Sequence, residues 1–403
     1  MLPRFSKSLV ERMAAQFPAV LILGPRQCGK TTLAKEWIAG SYFDLEKPSD
    51  YSVFADDPEL ALRRLNEVLI LDEAHQLPSL FSVLRSVIDE DRRRNGRYYL
   101  LGSVNPSLVR QVSESLAGRV GMVELTPFLY GEVAKALGSL DAYWLRGGYP
   151  DACLEDDPQR RTNWFDQYVQ ALVQRDLAGY GLKTSSQEMR RFIGMLAHVH
   201  GGLLNASELG RSLGVTYHTI GHHLDILEGH FLVRRLQPWH ANLGKRLVKS
   251  RKLYVRDCGL LHHLLGIRSD RDLLQSPRRG ASWEGMLVEN VIGLEQISHI
   301  GSQFWFYRTQ AGAEIDLIVD RGEERIGYEF KCGVSVTRHD ASGLRAGLED
   351  GVITQGYVVY AGERSYPLTN DIQAIPAGMI LSGEMGIPVK IYPVVDWRVV
   401  VGR

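Results

Sequence analysis

The chain lacks an excess of either charge. Lys plus Arg and Asp plus Glu each number 47 in 403 residues, so the formal net charge is zero. That excludes a globally basic coat for nucleic acid and leaves room for a local basic patch. Cysteine is scarce: Cys28, Cys153, Cys258 and Cys332 lie far apart and form no C-x-x-C pair. The spacing argues against a disulfide framework and against a zinc knuckle, and a reducing cytoplasm is the expected setting. No apolar run reaches the ~18 residues that a spanning helix needs, so a membrane is not an expected partner. The opening stretch MLPRFSKSLVERM is amphipathic and polar, unlike a secretory leader. Low-complexity tracts and repeats are absent. With 44% hydrophobic and 23% charged residues, the composition is that of an ordinary globular protein. At ~100–200 residues per domain, the length predicts two to four domains.

What is present begins at residue 20. VLIL is a short apolar run without alternation, which suits a buried parallel strand. It leads into GPRQCGKTT, residues 24–32, and then into TTLAKEWIA, which reads as a helix. Gly24-xxxx-Gly29-Lys30-Thr31 fits the phosphate-binding pattern G-x-x-x-x-G-K-[ST]. In such a loop, which includes Pro25, the backbone N–H groups of Gly24, Arg26, Gln27, Cys28 and Gly29 turn toward phosphate, and the new helix adds its positive end. Lys30 would reach the β/γ-phosphates, the Thr31 hydroxyl would ligate Mg²⁺, and Thr32 would sit beside them. A chance glycine-rich turn is the alternative, and the strand before with the helix after speaks against it.

A second strand, VLIL at 68–71, ends in Asp72-Glu73. An acid at the carboxyl end of a parallel strand faces the crevice where ligands bind. Asp72 is the expected Mg²⁺-positioning acid, and Glu73 the residue that polarises the attacking water. The competing reading is a carboxylate pair at a helix start. A third strand, YYLLGS, offers Ser103 and, just beyond, Asn105 as candidates to touch the γ-phosphate or its water; a plain turn explains them equally well. Arg119, between a polar helix and another strand, is a candidate to stabilise charge on phosphate from its own or a neighbouring subunit. A surface arginine is the alternative.

Taken together, GPRQCGKT, LILDEAH, LLGS, SLAGRV and TPFLYGEV resemble the AAA-type ATPase domain of a large prokaryotic group of ATP-binding proteins. GGYP at 147–150 and WFDQYVQALVQRDL at 164–177 resemble the same group. The resemblance implies ATP and Mg²⁺ as cofactors, Glu73 as water activator and Arg119 as a candidate finger. It also implies a C-terminal domain related to the PD-(D/E)XK nucleases, and it leaves the physiological role open.

The middle of the chain reads as helix, helix, glycine turn, helix, strand. EMRRFIGMLAHVHG, ASELGRSLGV and TYHTIGHHLDILEGH, the last begun by Thr216, form a helix-turn-helix pattern. FLVRRLQPW and RKLYVRD would form a wing. The third helix carries Asp225, Glu228 and three histidines but no Lys or Arg, which weakens a DNA-reading role. A lid or protein-contact role is the alternative. The strongest basic cluster follows: Lys245, Arg246, Lys249, Arg251, Lys252 and Arg256. It is either a phosphate-tracking loop or a solvated one. The Trp164, Tyr168, Leu172 stripe reads as core.

Near the C-terminus SWEGMLVENVIGLEQI is helical, and QFWFYRT, AEIDLIVD and ERIGYEFK are β-rich. Residues i and i+2 of a strand share a face, so Glu329 and Lys331 point the same way. Asp316, between Ile315 and Leu317, is an acid among apolar neighbours, costly unless paired or metal-bound. Asp316 and Glu329 on adjacent strands could hold Mg²⁺ or Mn²⁺, with Glu289 completing the set and Lys331 orienting water. A helical Glu, a strand Asp and then ExK resembles the PD-(D/E)XK core, although Ile315 stands where that motif has proline. A structural Glu–Lys pair is the alternative.

The expected fold class is α/β. It comprises a P-loop AAA-type ATPase domain (1–135), a helical connector (136–185), a winged helix (186–256) and a restriction-endonuclease-like domain (257–403). Two functions are expected from it. One is an Mg²⁺-dependent ATPase that moves a winged helix and a nuclease-like domain on DNA or another nucleic acid. The other is a nucleotide-dependent switch or scaffold that binds a protein partner. Homo-oligomerisation is expected in either case.

Overall fold

The computed structural model describes residues 2–103, 112, 114–176, 184–239 and 248–382. Asn105, Leu177, Lys245 and Arg246 lie outside these. Among the described residues, no helix is long and apolar enough to cross a membrane.

Two sheets organise the chain. The first is parallel, ordered β2 (Ser41–Asp44), β3 (Leu69–Asp72), β4 (Tyr98–Ser103), β1 (Ala19–Gly24), β5 (Val120–Glu124). Every residue of AVLILG in β1 and of LILD in β3 is buried, as expected of strands covered on both faces. All five strands run the same way, so their carboxyl ends, with Gly24, Asp72 and Ser103, lie at one edge.

The second sheet has nine strands, ordered β13-β14-β12-β11-β10-β9-β7-β8-β6. Its larger part holds β9 (Gln303–Arg308), β10 (Glu314–Asp320) and β11 (Arg325–Lys331) antiparallel. β12 (Gln355–Tyr360) and β14 (Ile372–Pro376) then run parallel to β11, and β13 (Tyr366–Pro367) is antiparallel to β14. The buried helix Arg279–Ser298 packs against it. Its smaller part comprises β6 (Gly202–Leu203), β8 (Lys252–Val255) and β7 (Val233–Pro238), closing a unit with helices Ser186–Val199, Ala206–Leu213 and Tyr217–Gly229. Thr216 caps the third of these helices, accepting from the Thr219 N–H at 3.2 Å.

β7 joins the two parts: Gln237 and Pro238 pair in parallel with Trp305 and Phe306. The helix Cys258–Leu264 was expected in the C-terminal unit. Its Leu260 and Leu261 instead share a core with Phe165, Phe192 and Leu224.

Candidate functional site

Residues 24–32 turn from β1 into the helix Lys30–Trp37 through positive-φ positions at Gln27 (60°) and Gly29 (98°). A Cβ on Gly24 would lie 2.2 Å from the Leu125 carbonyl oxygen, so the close approach there admits only glycine. Cys28 is buried beneath the loop, and Arg4 Nη1 donates to its carbonyl at 2.9 Å. Lys30 is buried, with Nζ donating to the carbonyls of Gly24 (3.0 Å) and Pro25 (2.9 Å). The loop therefore folds around its own ammonium.

The expected metal-positioning pair is in contact. Thr31 Oγ1 donates to Asp72 Oδ2 at 2.6 Å, and the Tyr42 hydroxyl donates to the same oxygen at 2.7 Å. Burial, with Asp72 alongside, holds the Tyr42 phenol above its ordinary range, so it remains a donor. Glu73 follows with left-handed backbone (φ 50°), and its N–H donates to Asp72 Oδ1 at 2.9 Å. Its Oε2 lies 3.2 Å from His75 Nδ1. A non-glycine residue held at positive φ costs about 1–3 kcal/mol, and such strain gathers at functional sites.

The loop opens into a cleft of about 630 Å³. Its far wall is Pro150, Asp151, Trp164, Gln167 and Tyr168. Trp164 and Tyr168 stack, with ring centroids 5.2 Å apart and planes 10° from parallel. The aromatic stripe thus serves both as core and as cleft wall, where core alone was expected. The GGYP turn positions this wall. Gly148 N–H donates to the buried Asp257 carboxylate at 2.7 Å, and a Cβ on Gly148 would meet the Phe128 carbonyl at 2.3 Å. Tyr42 and Arg4 went unnoticed in the sequence, because nothing in SYFD or LPRF marks them.

Ser103 pairs through its backbone with Gly24. Arg119 lies elsewhere. Its carbonyl accepts from Ala19 N–H at the amino end of β1, and its guanidinium forks onto Asp89 at 2.7 and 2.8 Å. That is the edge of the sheet opposite the loop, a six-residue strand or roughly 20 Å away. Arg119 therefore does not serve the loop of its own chain.

In the C-terminal part, Asp316, Glu329 and Lys331 come together as the strand pattern predicts. Asp316 Oδ2 accepts from Phe330 N–H at 3.0 Å, and Lys331 Nζ donates to Glu329 Oε1 at 2.8 Å. The β9–β10 register slips between Ile315 and Ile318, which re-aims the backbone around Asp316. Burial and the nearby Asp316 push the Glu329 carboxyl up, to about 8, against the pull of Lys331.

Glu289 does not join them. Arg234 holds it at 2.9 Å and Arg256 at 2.8 Å. Burial raises its pKa, but the two guanidiniums outweigh that and bring it down to about 2. The helical acid beside Asp316 is Glu284, five residues earlier and so roughly 140° around the helix. Lys252 Nζ, from β8, lies 2.9 Å from Glu284 Oε1, 2.6 Å from Glu314 Oε1 and 3.2 Å from Asp316 Oδ1. Among the described residues, no three His, Cys, Asp or Glu side chains are arranged to hold a metal ion. The carboxylates thus face an ammonium, and a nuclease metal does not fit them.

Two described members of the basic cluster are tied up in ion pairs within the fold. Lys252 is buried, and Arg256, half-buried, pairs with both Glu289 and Glu124. Lys249 is exposed and Arg251 half-buried. The two acids of the third helix, Asp225 and Glu228, both hold Arg235.

The loop, its two carboxylates and the parallel sheet define a P-loop ATPase domain of AAA type, and residues 16–134 match the family model described as an AAA domain. Residues 137–271 and 279–380 match two models described as domains of unknown function. Uncharacterized protein Rv2008c of Mycobacterium tuberculosis and Mb2031c of Mycobacterium bovis are each 39% identical over 393 residues, covering 94% of this chain and 86% of theirs. The chain belongs to the family those proteins represent. An uncharacterized protein of Haemophilus influenzae is 23% identical over 61% of each chain. Among solved structures, the Aeropyrum pernix ORC1 protein in complex with DNA overlaps 68% of this chain and 94% of its own. Its TM-score is 0.31 at 13% identity. A signal transduction ATPase with numerous domains from Pyrococcus horikoshii overlaps 74% of this chain and 47% of its own, with a TM-score of 0.27 at 13% identity. At these scores neither bears on what this chain does.

Proposed function

We propose that the chain binds ATP with Mg²⁺ in the cleft above residues 24–32 and hydrolyses it, using the movement to displace its winged helix and C-terminal domain. The observation that carries this is the Thr31–Asp72 hydrogen bond beside the buried Lys30: a hydroxyl, a carboxylate and an ammonium at one sheet edge. The donor set fits the group. On binding, Lys30 exchanges two carbonyls for the β/γ-phosphates, while backbone N–H groups within residues 24–32 donate to the phosphate oxygens. Thr31 and, through water, Asp72 would hold Mg²⁺, which neutralises charge on the phosphates. Glu73 orients the attacking water and takes its proton. Ser103 and Asn105 are proposed to touch the γ-phosphate. Arg119 can act only on a neighbouring copy in an oligomer.

The test is ATP binding and turnover in two variants. Lys30→Ala is expected to weaken binding ~10–150-fold, the worth of a charge-assisted hydrogen bond. Glu73→Gln is expected to keep binding and to slow turnover ~100-fold or more. Unchanged binding in the first, or equal loss of binding in the second, refutes the assignment.

The three-helix unit with its β6–β8–β7 strands supports the winged-helix reading, and with it nucleic acid as the substrate. The nine-stranded sheet with helix Arg279–Ser298 supports a nuclease-like fold. The second reading, a switch that binds protein, is favoured by Lys252 and Arg256 of the basic cluster, because both are spent on carboxylates of this chain. ATP turnover stimulated by DNA, with binding that falls steeply as salt rises, separates the first reading from the second.

A further inference from the structure

Lys252 belongs by sequence to the hairpin of the three-helix unit, yet its ammonium sits among carboxylates of the C-terminal part. Only 2% of its side chain is exposed. An ammonium has three N–H donors, and Glu284, Glu314 and Asp316 each present an oxygen within 3.2 Å. Each of these three acids has a further partner. Tyr254 OH donates to Glu284 Oε1 at 2.6 Å, Phe330 N–H to Asp316 Oδ2, and Arg308 Nη1 lies 3.4 Å from Glu314 Oε2.

The backbone that carries the ammonium is held in place. β8 is paired on both edges, with Lys252 opposite Leu236 of β7 and Leu203 of β6. A divalent ion would need oxygens drawn in to ~2.0–2.6 Å around a centre that Lys252 already fills. It would then face a buried positive charge a few ångströms away.

We infer that Lys252 Nζ is the resident cation of the C-terminal carboxylate cluster, and that the cluster joins the β6–β8–β7 hairpin to the C-terminal sheet instead of holding a metal for strand cleavage. The same two parts are already sewn together at Gln237–Trp305 and Pro238–Phe306. The three-helix unit and the C-terminal sheet therefore move as one body. Any ATP-driven displacement falls between that body and the five-stranded sheet. The inference does not rest on ATP hydrolysis, since its test needs no nucleotide.

The experiment is calorimetric titration of nucleotide-free full-length protein with Mn²⁺, comparing wild type, Asp316→Asn, Lys252→Gln and the double variant. Wild type and Asp316→Asn are expected to give the same isotherm. Lys252→Gln is expected to gain one Mn²⁺ site, and adding Asp316→Asn is expected to remove it again. A wild-type site that Asp316→Asn abolishes overturns the inference, as does the absence of any gained site in folded Lys252→Gln. Should Lys252→Gln fail to fold, wild type against Asp316→Asn still decides. Mn²⁺-dependent nicking of supercoiled DNA that Asp316→Asn removes also overturns it.

Discussion

Asp72 Oδ2 accepts two hydroxyl donors, from Thr31 and from Tyr42. The first is the residue expected to hold the metal; the second keeps the carboxylate aimed when Thr31 leaves it. Tyr42→Phe removes that donor and little else, since the ring stays. A hydrogen bond to a charged acceptor is worth about 1.5–3 kcal/mol, so kcat/KM for Mg·ATP is expected to fall ~10-fold or more. Steady-state kinetics at varied Mg²⁺ checks it. Residue type and spacing made Lys30, Thr31, Asp72 and Glu73 legible. Tyr42 was not, because a tyrosine in a short strand has no local pattern that aims its hydroxyl. The expectation that Glu289 completes the Asp316 set fails for a related reason. Both acids lie in one helix, and only packing shows that Arg234 and Arg256 claim the later one while Glu284 faces Asp316.

At the scale of elements, the GGYP turn decides where the connector meets the loop. The Asp257 carboxylate accepts from both Gly148 and Leu260 N–H at 2.7 Å, and burial pushes it up to about 6 despite those bonds. Gly148→Ala would drive a methyl into the Phe128 backbone. We expect a loss of about 2–3 kcal/mol, the range for overpacking against fixed atoms. Gly194→Ala is the control: it lies in helix Ser186–Val199 with open space at its Cβ, so it is expected to gain up to about 1 kcal/mol. Chemical denaturation of both variants checks the pair. Strand identities were legible from short apolar runs and β-rich segments, as β1, β3, β10 and β11 show. The parallel β7–β9 pairing was not legible. It joins segments some seventy residues apart in sequence, and each reads as an independent strand.

For the whole molecule, burial couples the units through neutral groups as well as ions. His200 Nδ1 accepts from Val255 N–H at 2.9 Å, and Nε2 contacts the Ala281 carbonyl at 3.1 Å, bridging the three-helix unit to the helix Arg279–Ser298. Burial is the main reason its pKa falls to about 3. The unfolded chain takes up this proton below about 6.5 and the folded chain does not. The stability it contributes is therefore complete above about pH 6.5 and is lost as pH falls toward 3, at about 1.4 kcal/mol per unit. Replacing it with His200→Gln is expected to flatten the pH dependence of unfolding free energy between pH 6.5 and 4 by that slope. Urea unfolding at several pH values measures it, and an unchanged slope counts against a neutral buried imidazole.

Residue order by itself determined the phosphate loop, the acids after the second strand and the ExK face, because each depends on neighbours within a few residues or on strand periodicity. Only the tertiary structure decided what those groups meet. Arg119 went to the far edge of the sheet, Lys252 into a carboxylate cluster, and Trp164 to the wall of the cleft above residues 24–32. Charge and shape at those positions come from segments distant in sequence, and which of them meet is set by how the two sheets and the connecting helices bury their apolar faces.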